Sequence, residues 1–415
     1  VCGEVSLLRA VIGGSVAFQG AKIGFEPRAG EETSTNGRLD LSDARIAGDV
    51  YCNPLGIDRP GYGFRTEVLG PVSLWGTAVG GDVVFDGIRT GREAQPAGST
   101  ALPGELNLRD ADVVGDLYCN AVETRTAEQN FRAEIRGPVS LVGAKVDGQV
   151  QFMGARIGSA QPTAVGKAGP AMNLQSAEIT GGLHCGPRGR LVTEVFGTVH
   201  TFAAKISCAA AWDRARIHGD LDMERTVING PLLCAFDEER YKKRPDDPSR
   251  RAAGLFQVDG AMKLTAVEAQ DVVIDGRLFG ASGAKGGPAR WLLRPVAGCL
   301  KAVGFLLGLC VGKRESRKQE DEARLRIDRA RISKLRFVHA IPDRVHADGV
   351  ALADLELPGK PFEYTELLKR TRPFRKSTYL ALEELLLNKG LDAQARRVYV
   401  AMSNRDLVLG RNVLD

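Results

Sequence analysis

The chain has 415 residues, 43% hydrophobic and only 6% aromatic, with 49 glycines. This length suits two or three ordinary domains or one elongated repeat array, and the composition gives a core of small and aliphatic residues with frequent tight corners. The net charge of +5 is uneven: residues 1–230 hold 22 Lys+Arg against 26 Asp+Glu, and the remainder holds 34 against 25. A body this weakly acidic lacks the dense acidic face of a DNA mimic, and the basic C-terminal part suits an anionic surface.

The chain opens inside a repeat. Val5-x-Leu7 already fits it, so the sequence reads as a fragment at its N-terminus. The repeat is clearest in GPVSLVGAKVDGQVQFMGARIG (Gly137 to Gly158), with apolar pairs Val139/Leu141, Ala144/Val146, Val150/Phe152 and Ala155/Ile157. Each pair flanks one outward residue, as on a short strand. The pairs recur after 5, 6 and 5 residues, which fits neither a helix nor one long alternating strand. Four short strands separated by corners satisfy it, in a coil of 22 residues.

Leu7/Phe18, Leu41/Cys52, Leu74/Phe85, Leu108/Cys119, Leu141/Phe152 and Leu174/Cys185 are each 11 residues apart, and successive leucines are 33 or 34 apart. The spacing predicts a coil plus a loop of about 11 residues, always leaving at the same corner, as in a solenoid. Pro27–Gly37 and Ile57–Gly63 have the polar, Gly- and Pro-containing composition of such loops. The alternation of Phe18, Cys52, Phe85, Cys119, Phe152 and Cys185 predicts bulky and small side chains stacked in turn. From Phe202 the rhythm continues without long loops through Ala215-x-Ile217, Leu221-x-Met223 and Leu232-x-Cys234, weakens over Val267–Leu278, and resumes at Leu325-x-Ile327, Ala330-x-Ile332 and Leu335-x-Phe337. About ten coils spaced ~4.8 Å apart give a rod roughly 50 Å long.

These coils resemble pentapeptide-repeat proteins, whose right-handed quadrilateral β-helix has a small or apolar residue two before a central Leu or Phe. One residue is added here at every second face. The segments SLVGAKVDGQVQFMGARIG, LDLSDARIAGDVYC and LNLRDADVVGDLYC are more similar to a family of large actinobacterial proteins with repeats of the form LxGAxIxGxLxLxGA. The resemblance covers roughly residues 1–340 and 361–405. It implies a C-terminal helical hairpin, often followed by membrane spans. Some members are labelled membrane-associated oxidoreductases, but no catalytic residues transfer.

Of eight cysteines, Cys52, Cys119 and Cys185 take equivalent inward sites two coils apart. That is about 9.6 Å, beyond disulfide reach. They read as buried free thiols of a reducing compartment, hence cytoplasmic, with a redox or metal role as the alternative. His184 adjoins Cys185, but strand neighbours face opposite sides. His339 and His346 share a loop-like stretch with Asp343 and Asp348, which offers a ligand cluster without fixed spacing or plain solvated residues. Asp43, Asp110 and Asp112 point outward at corners, where a groove could bind a cation or sugar. Gly276–Gly287 (GRLFGASGAKGG) lacks both dinucleotide-fingerprint and P-loop spacing and reads as an exit loop, and no G-x-S-x-G or H-E-x-x-H occurs. No catalytic residue, cofactor or metal site is predicted.

Residues 291–312 (WLLRPVAGCLKAVGFLLGLCVG) are apolar, and residues 285–318 carry eight basic residues against Glu315 alone. The core Val296–Val311 has 16 residues, including Lys301, and falls short of the roughly 20 a spanning helix needs. The segment reads as an interfacial helix on anionic lipid, with a helix covering the solenoid or a re-entrant segment as alternatives. The membrane-contact candidates are Trp291, Leu292, Arg294, Lys301, Phe305, Leu306, Lys313 and Arg314.

Past Pro361, Ser377 or Thr378 is placed to cap a helix carrying Tyr379, Leu382, Leu385 and Leu386, which stops at Gly390. Asp392 is placed to cap a second helix with Ala395, Val398, Val400 and Ala401. The pair is expected to cap the last coil, or to bind a peptide. The chain thus divides into a β-helix (1–278), a basic apolar insert (279–322), a last coil (323–360) and a helical hairpin (361–415). The expected function is a non-catalytic scaffold or binding module on the cytoplasmic face of a membrane. Its partners would be the anionic surface and a protein on the loop edge or hairpin, and not nucleic acid. The competing classes are the oxidoreductase implied by the resemblance and a carbohydrate-binding or carbohydrate-active β-helix.

Overall fold

A computed structural model describes residues 3–24, 37–56, 63–91, 104–123, 130–158, 170–235, 256–275, 324–338, 340–358, 364–371 and 374–414. The chain winds as a parallel β-helix. The fifth winding shows the unit: two-residue strands at Val139–Ser140, Lys145–Val146, Val150–Gln151 and Arg156–Ile157, here called faces one to four. Each pairs in register with its equivalents below and above. Leu106, Val139 and Met172 align on face one, Asp112, Lys145 and Glu178 on face two, Leu117, Val150 and Leu183 on face three, and Glu134, Arg156 and Glu194 on face four. Among the described residues face one carries eleven strands and face four carries eight, which makes eleven windings.

The inward residues make one continuous core. Leu41, Leu74, Leu108, Leu141 and Leu174 lie one above another, all buried. The bulky and small column continues past its predicted end: Phe85, Cys119, Phe152, Cys185, Trp212 and Cys234 are all fully buried. Between faces one and two the chain turns through a left-handed residue in every winding, from Arg9 (φ 57°) through Asp43, Gly76, Asp110 and Gly143 to Gly349 (φ 62°). Non-glycine residues are disfavoured there, and backbone bonds to the next winding, such as Arg9 to Ser42 (2.9 Å) and Asp110 to Val142 (2.9 Å), hold them in place.

The loops depart from the predicted single corner. In the first, third and fifth windings the chain leaves after face four, at Ile23, Thr90 and Ile157. In the second, fourth and sixth it leaves after face three, at Tyr51, Tyr118 and His184, and returns to make face four at Glu67, Glu134 and Glu194. Antiparallel bridges Leu55–Phe64, Val122–Phe131 and Arg188–Leu191 close the necks of the second set. In the first and third windings, glycine pairs let the two backbones of the neck approach: a Cβ on Gly37 would lie 2.2 Å from the Ile23 carbonyl oxygen. Leaving at two corners by turns makes the repeat unit two windings, and both sets of loops flank face four.

Faces two and three fuse into eight-residue strands at Val227–Cys234, Glu268–Asp275 and Arg331–Val338, and the last winding has Ala351–Glu356. The expected last coil is therefore two windings, with Leu325–Arg326 and Val345–His346 as their face-one strands. Among the described residues three helices follow: α1 (Tyr364–Arg370), α2 (Lys376–Asn388) and α3 (Asp392–Leu414). Leu368, Tyr379, Leu386, Ala395 and Val398 are buried and join the solenoid core. Neither Ser377 nor Thr378 caps α2. Arg375 occupies the N-cap with no side-chain bond, because both hydroxyls are used to dock the helix. Ser377 donates to Asp348 (3.1 Å) and Thr378 to the Ala347 carbonyl (2.6 Å). Gly390 ends α2 with φ 69°, as its position predicts.

Candidate functional site

The outward residues of face four form a row one winding apart: Lys22, Glu67, Arg89, Glu134, Arg156, Glu194 and Arg216. The sign alternates at every step. In a parallel in-register stack like charges would otherwise stand opposite each other, which destabilises. Arg89 reaches both neighbours, Glu67 at 3.1 Å and Glu134 at 3.1 Å, and Lys22 reaches Glu67 at 3.4 Å. Glu134 is the hub, with Arg65 at 3.4 Å and Arg136 at 3.5 Å. Burial pushes its carboxyl upward, but Arg65, Arg89 and Arg136 outweigh that and hold it below the usual range. Reading the sequence with all loops at one corner hides this alternation, because the face-four residue then falls at a different offset in every second winding.

A second ladder runs along the corner before face three. Asp49 accepts the Asp82 amide (2.8 Å), Asp82 accepts the Asp116 amide (2.8 Å) and Asp116 accepts the Gln149 amide (2.6 Å). Each carboxylate occupies the space beside a glycine of the next winding: a Cβ on Gly81 would lie 2.0 Å from Asp49 Oδ1. The Asp82 amide and the Tyr51 hydroxyl hold Asp49 below the usual carboxylate range. The phenol of Tyr118, donating to Asp116, is raised to about 12.

Cys52, Cys119, Cys185 and Cys234 are buried free thiols, and burial pushes all four upward, away from thiolate chemistry. Cys208 is exposed. The loop-like reading of His346 does not hold: it sits in a face-one strand, is buried, and pairs through Nδ1 with Asp328. Asp343 pairs with Arg370 (3.3 Å) and Asp348 with Ser377, so they do not converge on His346, while His339 lies outside the described residues. His218 pairs with Asp259 (2.9 Å) and stacks on Phe196. Asp43 and Asp110 are exposed at left-handed corners, and Asp112 is exposed on a face-two strand. Among the described residues no group of three or more His, Cys, Asp and Glu could hold a metal ion.

A cavity of about 870 Å³ lies where the last two windings meet α1 and α2, lined largely by aliphatic side chains including Ile332, Leu352, Leu355 and Leu385. Trp291, Leu292, Arg294, Lys301, Phe305, Leu306, Lys313 and Arg314, like Gly276–Gly287, lie outside the described residues. No helix of the described residues is long and apolar enough to cross a membrane. No protein-family model, curated protein or solved structure matches this chain.

Proposed function

We propose that the protein is a non-catalytic binding scaffold that associates with an anionic membrane surface through its basic apolar insert. The observation that supports this is the continuity of the stack across that insert. Met262 pairs with Leu325, and Glu268–Asp275 pairs with Arg331–Val338 in unbroken register. Residues 276–323 separate these neighbours in sequence, yet the windings stack as they do elsewhere. The flanking windings thus stack directly on each other, and the insert's composition supports a role outside the rod. Eight basic residues around an apolar core fit anionic headgroups, where each Lys or Arg contributes about 1 kcal/mol near the surface. The rod would then present the outward residues of face four as a rigid, preorganised surface.

The test is vesicle flotation of the full chain and of a deletion of residues 285–318. The full chain is expected to float with phosphatidylglycerol vesicles, weakly with phosphatidylcholine, and less at high salt. The deletion is expected to stay in the dense fraction with an unchanged β-sheet circular dichroism spectrum. Equal flotation of a folded deletion would remove this reading.

A further inference from the structure

We propose that the cavity between the last winding and α2 is a peptide site that takes an extended segment as an added parallel strand on Ala351–Glu356. Face two carries the argument. There each winding's amide donates to a carbonyl of the winding before: Arg45 to Ala10 (2.8 Å), Lys145 to Ala111 (2.8 Å), Arg331 to Val267 (2.7 Å) and Ala351 to Ala330 (2.9 Å). The second bond of the pair follows, as from Ala47 to Ile12 (2.9 Å). By the same register the next acceptors are the carbonyls of Val350 and Leu352. Among the described residues Ala351–Glu356 pairs only with Arg331–Val338, and no backbone amide of a described residue donates to either carbonyl.

Both residues line the cavity. On face one the cap does extend the stack, through a parallel bridge from Val345 to Thr371, whereas among the described residues no strand is added beyond Ala351–Glu356 on face two. The volume, about 870 Å³, lies in the range of ligand sites. Ile332 and Leu352 continue the inward column of face two, so the added strand needs an aliphatic residue at that position.

The rim cations do not select the occupant. Arg331 already pairs with Glu268 (3.2 Å) and Lys389 with Asp354. Thr371 and Thr378 spend their hydroxyls on Leu367 and Ala347. What remains is a largely aliphatic groove, with Ser333, Glu384 and Asn388 in its lining, beside two backbone acceptors, the elements of strand addition. An acyl chain would fill the groove but bury the acceptors without donors. The site does not depend on the membrane reading, and flotation and peptide binding fail separately.

The test uses the full chain and an array of synthetic heptapeptides spanning its own eleven face-two strands, including residues 329–335 (RARISKL). Each is made plain and with the two donating amides N-methylated. Saturable fluorescence-anisotropy binding of plain peptides with an aliphatic inward residue is expected, with a loss of about tenfold or more on methylation. Ala353→Trp and Ala381→Trp, each placing an indole in the groove, are expected to abolish binding with helix content unchanged, and the two positions guard against one variant misfolding. The proposal is overturned if no peptide binds better than its methylated form, if a folded Trp variant binds as well as the parent, or if labelled dodecanoate binds where peptides do not.

Discussion

At the scale of single residues, the solenoid closes its corners with small polar groups held at zero exposure. Thr193 accepts the Gly154 amide at 3.0 Å and donates to the Phe152 or Gly186 carbonyl, just where the sixth winding returns from its loop. Thr66 does the same for Gly20, Phe18 and Asn53, and these hydroxyls add to backbone bonds such as Gly154 to Gly186 (2.9 Å) and Gly20 to Asn53 (3.2 Å). The cysteines follow the same packing logic and not a chemical one. We expect Cys208 to react with a thiol reagent at pH 8 in the native protein, and Cys52, Cys119, Cys185 and Cys234 to react only after unfolding, as read by labelling and peptide mapping. Fast native labelling of any of the four would contradict their placement in the core.

At the scale of elements, face four is a sheet held by alternating charge, and it should be acid-sensitive. Glu134 has its pKa lowered in the fold, so its contribution is present above the ordinary glutamate range and is lost as pH falls through its folded value. Glu134→Gln should destabilise by on the order of 1–2 kcal/mol at pH 7. The difference from the parent should shrink toward pH 3 in thermal melts, and a pH-independent gap would argue for a purely steric effect. The cap rests on Arg405, which donates to the Leu368 carbonyl (2.9 Å) and the Tyr379 hydroxyl (2.7 Å) and lies over Phe374. Arg405→Ala should cost about 1–3 kcal/mol of cap stability. Faster amide exchange in α1–α3, with the windings before Leu325 unchanged, is the expected outcome.

The paired inward residues were readable because each pair is two residues apart whatever loop separates it from the next. The exit corners were not, since loops of similar length leave the spacing of Leu74, Leu108 and Leu141 the same at either corner. The capping roles assigned to Ser377 and Thr378 failed for a different reason. A hydroxyl near a helix start also fits a bond to another element, and only packing against Asp348 and Ala347 decides between them.

At the scale of the molecule, the eleven windings of the described residues share one core from Ile23 to Leu357, continued by the helices. A solenoid of this kind is stabilised by contacts between nearest neighbours, so an appendage between two windings leaves the rest intact. The terminal winding is where the lattice of backbone bonds runs out, and the helices answer only part of that need.

The measurement that tests the stacked rod most directly is pulsed electron paramagnetic resonance between spin labels on outward face-one positions, pairing Ser6 with Ser140 and with His200. These pairs are four and six windings apart, so distances of about 19 and 29 Å are expected from a spacing of ~4.8 Å per winding. Distances that fail to grow with winding number would contradict the parallel β-helix on which every other statement rests.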